Sequence, residues 1–156
     1  MSLTLGDSLP EFSLNATSDR TITQDDFKNH YTVLYFYPKD STPGCTTEGN
    51  DFTELHSQFS ALNCQILGAS MDSMKRHDNF KTKQGFSFDL ISDPDAILCN
   101  LFGTYQLKKN FGKEYMGIVR STFLIDPCGK IVSEWRNVKV KGHAETLLTL
   151  LKALQP

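Results

Sequence analysis

The feature that most constrains the fold is a pair of short apolar runs separated by one long amphipathic pattern. Residues 32–37 form a continuous β-branched, aliphatic and aromatic run, as expected for a strand that is buried on both faces, and residues 64–70 predict a second buried strand. From Phe52 onward, apolar residues recur at three- and four-residue steps, which predicts a helix over 43–62. A strand, a crossover helix and a second strand form a parallel, right-handed unit.

The rest of the chain adds strands and helices to this unit. Residues 12–22 predict an N-terminal hairpin. After the βαβ unit come a helix over 73–84 ended by Gly85, a strand over 88–91, and a helix after Ser92-Asp93-Pro94 with the apolar stripe Ile97, Leu98, Leu101, Phe102 and Tyr105. The last predicted elements are two strands over 119–126 and 130–135, joined around Gly129, and a helix over 144–154. This order predicts an α/β, thioredoxin-like fold: βαβ plus ββα, a central mixed sheet flanked by helices, and an N-terminal β-hairpin extension.

Length and composition favour one globular domain over residues 1–156. The chain has 39% hydrophobic and 22% charged residues and a net charge of −2, which argues against a nucleic-acid-binding surface. Lys108, Lys109 and Lys113 are the nearest thing to a basic cluster, and they indicate a solvated loop. No apolar run approaches the ~20 residues of a membrane span. The start of the chain lacks a basic segment followed by an apolar one, so we expect no secretory signal and a cytoplasmic location.

Cys45 stands where the first apolar run gives way to the helix pattern. Thr42 can serve as the N-cap and Pro43 as the first helical residue, because the missing N–H of proline costs nothing there. A thiol in the first turn of a helix lies near unpaired backbone N–H groups and the positive end of the helix dipole, which favour the nucleophilic thiolate. Taken alone, Cys45 has two interpretations: a reactive nucleophile, or a small buried side chain behind a helix cap.

The spacing from Pro38 through Thr42 to Cys45 gives the pattern P-x-x-x-T-x-x-C, which resembles the active-site signature of the peroxiredoxins. The residues after Cys45, through Glu48, resemble the branch named for the bacterioferritin comigratory protein, also called the Q-type. The resemblance extends over nearly the whole chain and includes residues 6–12, 90–94, 102–103, 117–126 and 129–131.

This resemblance implies a thioredoxin-dependent antioxidant peroxidase, often a monomer, that reduces hydrogen peroxide and organic hydroperoxides through a sulfenic acid on Cys45 without metal or other cofactor. Negative charge builds on both peroxide oxygens in the transition state, so hydrogen-bond donors must point at them. The implied donors are the Cys45 N–H and the permanently charged Arg120, and the Thr42 hydroxyl can bond the attacked oxygen. Pro38 would wall the pocket. Glu48 has two interpretations: it orients Arg120, or it is a solvated acid in the first helical turn.

The sulfenic acid must then be reduced by another thiol. Many members of the branch carry a resolving cysteine five residues after the first one, but this chain has Asn50, so that disulfide cannot form. Cys64 is predicted to be core and Cys128 to lie in an exposed turn, whereas Cys99 falls more than ~100° off the apolar stripe of its helix. Cys99 is therefore a candidate resolving residue, within one chain or between subunits. The preferred interpretation is a one-cysteine cycle completed by thioredoxin, by glutaredoxin with glutathione, or by another small thiol.

Two other classes of function stay open. In the first, the chain is a peroxide-responsive sensor or chaperone module that is oxidised at Cys45 without efficient turnover. In the second, it is a cysteine hydrolase or acyltransferase, but this needs a histidine base, and no oriented Cys–His–Asp pattern accompanies the nearest one, His30. A structural zinc site is not expected, because the cysteines form no C-x-x-C pair and the histidines stand at no ligand-like spacing from them.

Overall fold

The computed structural model describes residues 2–155. In chain order the elements are β1 (Ser13–Ala16), β2 (Arg20–Thr23), a 3-10 turn (Gln24–Phe27), β3 (Tyr31–Phe36), α1 (Pro43–Ala61), β4 (Cys64–Ser70), α2 (Met74–Gln84), β5 (Asp89–Ser92), α3 (Ile97–Leu101), β6 (Tyr105–Asn110), β7 (Lys113–Ile118), β8 (Ser121–Ile125), β9 (Ile131–Arg136) and α4 (His143–Leu154). No helix in this part of the chain is long and apolar enough to cross a membrane.

Seven strands form one mixed sheet in the order β2-β1-β5-β4-β3-β8-β9. Strands β3, β4 and β5 are parallel, whereas β8 pairs antiparallel with both β3 and β9. The N-terminal hairpin joins the sheet through Ala16, which lies opposite Ile91 of β5. The predicted βαβ unit, the C-terminal hairpin and the N-terminal extension are therefore confirmed, and the fold is the predicted mixed α/β architecture.

Two apolar cores cover the two faces of this sheet. Successive residues of β3 alternate between them: Val33 and Tyr35 pack under α1, α2 and α4, while Leu34 and Phe36 pack against α3 and the N-terminal hairpin. Because each side of β3 faces apolar side chains, the strand is a continuous apolar run rather than an alternating one. The carboxyl end of β3 lies between β4 and β8, and the chain passes from there into the start of α1.

The predicted helix after Pro94 is shorter than its apolar stripe suggested. It has only five residues, and it follows Ala96, which has a left-handed φ of 56°. Both carboxylate oxygens of Asp93 accept backbone N–H groups in this turn, from Ile97 and Cys99 at 2.8 Å each. The turn therefore places Ile97 outside, 49% exposed, and Cys99 inside, 0% exposed. The expectation that Cys99 lies outside the core was wrong.

A two-stranded hairpin, β6 with β7, replaces the solvated loop that was expected around Lys108, Lys109 and Lys113. Its two-residue turn, Phe111-Gly112, has positive φ at both positions, which is the geometry that suits the twist of a tight hairpin. The hairpin ends at Ile118, two residues before Arg120, so it leads the chain directly into the site described next.

Candidate active site

Cys45 occupies the third position of α1 and is almost fully buried, at 2% exposure. Thr42 has the extended backbone of an N-cap, as predicted, but its hydroxyl makes no capping bond to the helix. It donates instead to the Lys39 carbonyl oxygen at 2.8 Å. The N-terminal amides of α1, including that of Cys45, thus keep their donor capacity for an incoming oxygen, because the first turn of a helix has no internal acceptors for them.

Arg120 reaches this helix start from the neighbouring strand. It directly precedes β8, whose first residue, Ser121, lies opposite Phe36 at the end of β3. One guanidinium nitrogen, Nη2, donates to the Cys45 sulfur at 3.4 Å, and the other, Nη1, donates to Glu48 Oε1 at 2.6 Å. The fork of an arginine therefore bridges the thiol and a carboxylate one helical turn later.

Gly44 makes room for this approach. A β-carbon at this position would lie only 3.0 Å from Arg120 Nη2. Since real β-carbons are rarely so close to a neighbouring heavy atom, any side chain here would push the guanidinium away from the sulfur. The glycine before Cys45 is thus explained by the contact that it permits.

Glu48 is buried, and its sequence position had left two interpretations open. The structure decides between them, because the side chain is 2% exposed and paired with Arg120 rather than solvated. Burial raises the pKa of Glu48 to about 7, against the lowering effect of the Arg120 charge. Its second oxygen, Oε2, has no hydrogen-bond partner among the described residues.

This raised pKa predicts how stability depends on pH. Since the folded carboxyl binds its proton more tightly than an ordinary one of pKa 4.5, the folded protein holds more protons between pH 4.5 and about 7. The free energy of unfolding therefore falls as pH rises through that range. We expect the melting temperature of the wild-type protein, minus that of Glu48→Gln, to decrease from pH 5 to pH 8.

Asp89→Asn provides the matched control for this titration. Burial would raise the pKa of Asp89, but hydrogen bonds from Arg20 and Thr17 outweigh it and the pKa is lowered. The contribution of Asp89 is then constant between pH 5 and pH 8, so its difference curve should be flat over this range. A difference curve for Glu48→Gln that is also flat, or that rises, would contradict the assignment.

The other three cysteines lie away from Cys45. Cys64 pairs with Tyr31 at the amino end of β3, one strand length from the end that leads to Cys45, or about 20 Å for six residues. Cys128 is exposed in the turn between β8 and β9, at that same distant end of the sheet. Cys99 packs in the core on the opposite face of the sheet from Cys45.

A second polar cluster, which no sequence pattern predicted, lies beside the site. Tyr37, Asp40 and His77 are all buried and joined by hydrogen bonds, and Asp40 lies inside the loop between Pro38 and Thr42. The only available signal was an acidic residue within the motif. Its partner is 37 positions away and could not be inferred from spacing.

Comparison with known proteins agrees with this geometry. The family model described as AhpC/TSA matches residues 5–134. Peroxiredoxin Bcp of Bacillus subtilis is 50% identical over 151 residues, which cover 96% of each chain. A solved variant of Xylella fastidiosa PrxQ superposes with a TM-score of 0.93 at 47% identity and covers 98% of both chains.

A further solved relative bears on the chemistry. The bacterioferritin comigratory protein of Xanthomonas campestris, studied for its alkyl peroxide reduction activity, matches with a TM-score of 0.87 at 47% identity and covers 94% of this chain and 98% of its own. The chain therefore belongs to the AhpC/TSA family, among the peroxiredoxins of the Bcp and PrxQ type, and is a thiol peroxidase.

Proposed function

We propose that Cys45 is the peroxidatic residue and that Thr42, Arg120 and Pro38 form its substrate pocket, with hydrogen peroxide and organic hydroperoxides as substrates. The observation that carries this proposal is the Arg120 fork, which donates to the Cys45 sulfur at 3.4 Å while Glu48 holds its other nitrogen at 2.6 Å. A fixed cation beside a buried sulfur suits a reaction in which negative charge moves from sulfur to oxygen.

The Cys45 thiolate attacks the peroxide oxygen that carries hydrogen, the S–O bond forms, the O–O bond breaks, and the sulfur becomes a sulfenic acid. The other oxygen leaves as hydroxide or alkoxide and takes a proton from solvent to give water or an alcohol. Arg120 stabilises the charge during this transfer. The Thr42 hydroxyl, whose own proton is held by Lys39, is free to accept the O–H of the attacked oxygen.

A groove next to the helix start supports organic hydroperoxides as substrates. It has a volume of about 540 Å³ and begins at Pro43 and Gly44. Its wall combines the apolar residues Leu55, Val140 and Ala144 with the charged residues Asp51, Glu54, Lys141 and Glu145. A peroxide bound at Cys45 could lay its organic part along this wall. Pro38, half-buried at the end of β3, would close the pocket on the other side.

We further propose a one-cysteine cycle in which thioredoxin, or glutaredoxin with glutathione, reduces the sulfenic acid. The positions of Cys64 and Cys128, at the far end of β3, support an external thiol. Cys99 remains the internal candidate, but its burial raises the pKa of its thiol and its side chain is in the other core. It could meet Cys45 only after a large rearrangement of the sheet or of α3.

The test is steady-state peroxide consumption by the wild-type protein and by a triple variant with Cys64→Ala, Cys99→Ala and Cys128→Ser. We expect the triple variant to turn over with an external thiol as fast as the wild-type protein, because no second cysteine is needed. Assays with thioredoxin and its reductase, and separately with glutaredoxin and glutathione, identify the reductant. Loss of turnover in the triple variant, with its fold intact, would contradict the one-cysteine cycle.

The same assay separates the peroxidase from the sensor or chaperone alternative, which predicts oxidation of Cys45 with no sustained turnover. The hydrolase alternative has little support, since the Cys45 sulfur accepts its hydrogen bond from Arg120, and His30 directly precedes β3, at the end of the strand remote from Cys45. We also propose that the protein acts as a monomer in the cytoplasm. All the site residues come from one chain, and the four free thiols suit a reducing compartment.

A further inference from the structure

We propose that the buried cluster of Tyr37, Asp40 and His77 is a positioning device for Thr42, through which it controls the reaction of Cys45 with peroxide. This inference rests on the proposed role of Cys45 and Thr42. It assigns a function to a polar network that the proposed chemistry does not otherwise use.

The polar side-chain atoms of the network all have hydrogen-bond partners, and the side chains are buried. Asp40 Oδ1 accepts the Tyr37 hydroxyl at 2.6 Å, and Asp40 Oδ2 lies 2.6 Å from His77 Nδ1. The other ring nitrogen of His77 lies 2.9 Å from the carbonyl oxygen of Ile91. The three side chains are at most 2% exposed. Burial, followed by the Asp40 charge, raises the pKa of Tyr37, so its hydroxyl keeps the proton that it donates.

The network reaches the site through one peptide bond. The Lys39–Asp40 peptide is a rigid plane, with the Lys39 carbonyl at one edge and the Asp40 N–H at the other. Its N–H donates to Asp72 Oδ2 at 2.9 Å, and its carbonyl accepts the Thr42 hydroxyl at 2.8 Å. Asp72 holds the N–H edge of this plane, and the Asp40 side chain, anchored to α2 through His77, holds the Cα at its end. Together they fix the orientation of the plane from outside the loop.

The consequence concerns the direction of a single hydrogen bond. With the peptide plane fixed, the Thr42 proton points at Lys39, and the lone pairs of the Thr42 oxygen remain for the peroxide O–H. If the plane were free to rotate, Thr42 would lose this acceptor and could turn toward the open amides of α1 as an ordinary cap. The network would then act on the peroxide step without touching peroxide.

The same residues do not make a convincing cation site. Asp40, Asp72 and His77 place potential ligand atoms within 4.8 Å of one another. Both oxygens of each carboxylate and both ring nitrogens already have hydrogen-bond partners in the protein, including Ser70 and Arg76 on Asp72. A cation would have to displace these bonds, so the arrangement is satisfied as a hydrogen-bonded network.

The experiment compares Asp40→Ala with Asp40→Asn by two rates at Cys45: single-turnover reduction of hydrogen peroxide, and alkylation by iodoacetamide, which needs the same sulfur but not the Thr42 acceptor. We expect Asp40→Ala to slow the peroxide reaction at least ~10-fold, since small misplacements of a positioning group are costly. Alkylation should not change. Asp40→Asn should recover most of the peroxide rate, because its amide oxygen can accept from Tyr37 and its amide nitrogen can donate to His77 Nδ1.

The pathway through Thr42 is tested by combination with Thr42→Val. If Asp40 acts through Thr42, Asp40→Ala should have little further effect in the Thr42→Val background. Asp93→Asn is the matched control: it also alters a buried carboxylate with both oxygens hydrogen-bonded, but the partners are the backbone amides of Ile97 and Cys99, in the other core. We expect it to leave both rates at Cys45 unchanged.

Several outcomes would overturn the proposal: parallel loss of the peroxide and alkylation rates, additive effects with Thr42→Val, or no recovery in Asp40→Asn. Should Asp40→Ala fail to fold, Tyr37→Phe keeps the ring packing and removes one bond to Asp40. It should then show the same pattern with a loss of about 3-fold. A wild-type protein that does not react with peroxide would instead refute the proposed function itself.

Discussion

Replacement of Cys45 by serine is expected to reduce peroxide turnover to the rate without protein. A serine hydroxyl is not ionised at neutral pH, and oxygen cannot take up and release a peroxide oxygen as sulfur does through the sulfenic acid. Replacing the sulfur by oxygen changes the side-chain volume little, so the side chain should still fit between α1 and the sheet, where Cys45 is 2% exposed. The variant should therefore be folded and inactive.

Peroxide consumption in the presence of an external thiol measures this effect, with far-UV circular dichroism to verify the fold. The control is the triple variant that keeps Cys45 and lacks the other three thiols, which is expected to remain active. Substantial turnover by Cys45→Ser would refute the assignment of the nucleophile, whatever the behaviour of the other cysteines.

Arg120→Ala is expected to slow the single-turnover reaction with peroxide at least ~100-fold, the usual cost of losing a donor aimed at developing negative charge. Arg120→Ala should also make the folded protein less stable, because Glu48 would be left buried without its cation. Removing one partner of a buried ion pair costs about 3–5 kcal/mol. We expect the free energy of unfolding to fall by about 3 kcal/mol, the lower end of this range, since Arg120 is 16% exposed and Glu48 can take up a proton.

Arg120→Lys separates charge from geometry. Lysine keeps the positive charge but offers one nitrogen, which cannot bridge the Cys45 sulfur and Glu48 as the two guanidinium nitrogens do. We expect the single-turnover reaction of Arg120→Lys with peroxide to be at least ~10-fold slower than that of the wild-type protein.

Arg136→Ala is the matched control for both Arg120 variants. It lies opposite Ser121 in the sheet, and its guanidinium is also part-buried, but it donates to the carbonyl oxygens of Phe102 and Leu3 on the face opposite Cys45. Its peroxide rate should equal that of the wild-type protein. Normal single-turnover rates in both Arg120 variants would remove Arg120 from the site.

The elements that were predictable from the sequence are those whose signals are local. The apolar run of β3 and the periodicity of α1 place Cys45 at a helix start, and the structure has both elements within one residue of their predicted bounds. Gly85 was expected to end α2 and does so in the left-handed conformation, because a residue without a β-carbon enters that region at no cost.

The errors have identifiable physical causes. Cys99 was judged on a helical wheel, but α3 has only five residues and its orientation is set by Asp93 rather than by a stripe. The β6–β7 hairpin was missed although Leu107 and Met116 lie opposite one another around Phe111-Gly112. Its lysines hid this alternation, and much of its surface is exposed, so the usual burial pattern of a strand is weak there.

The remaining features depend on contacts between distant parts of the chain. Arg120 meets Glu48 across 72 positions, and His77 meets Asp40 across 37. In the sequence, none of these side chains can be distinguished from an ordinary polar surface residue. Only the sheet, which brings β8 beside β3 and α2 beneath the loop after it, turns these residues into an ion pair and a buried network.

The most direct test of the central claim, that the Cys45 sulfur is the atom which peroxide oxidises, is a mass measurement. The protein is treated with one equivalent of hydrogen peroxide, with and without a sulfenic-acid trap, and the intact mass and the modified peptide are determined. A single trap adduct on the Cys45 peptide, with no disulfide, is the expected result. An unmodified Cys45, with the oxygen on another thiol or on none, would contradict it.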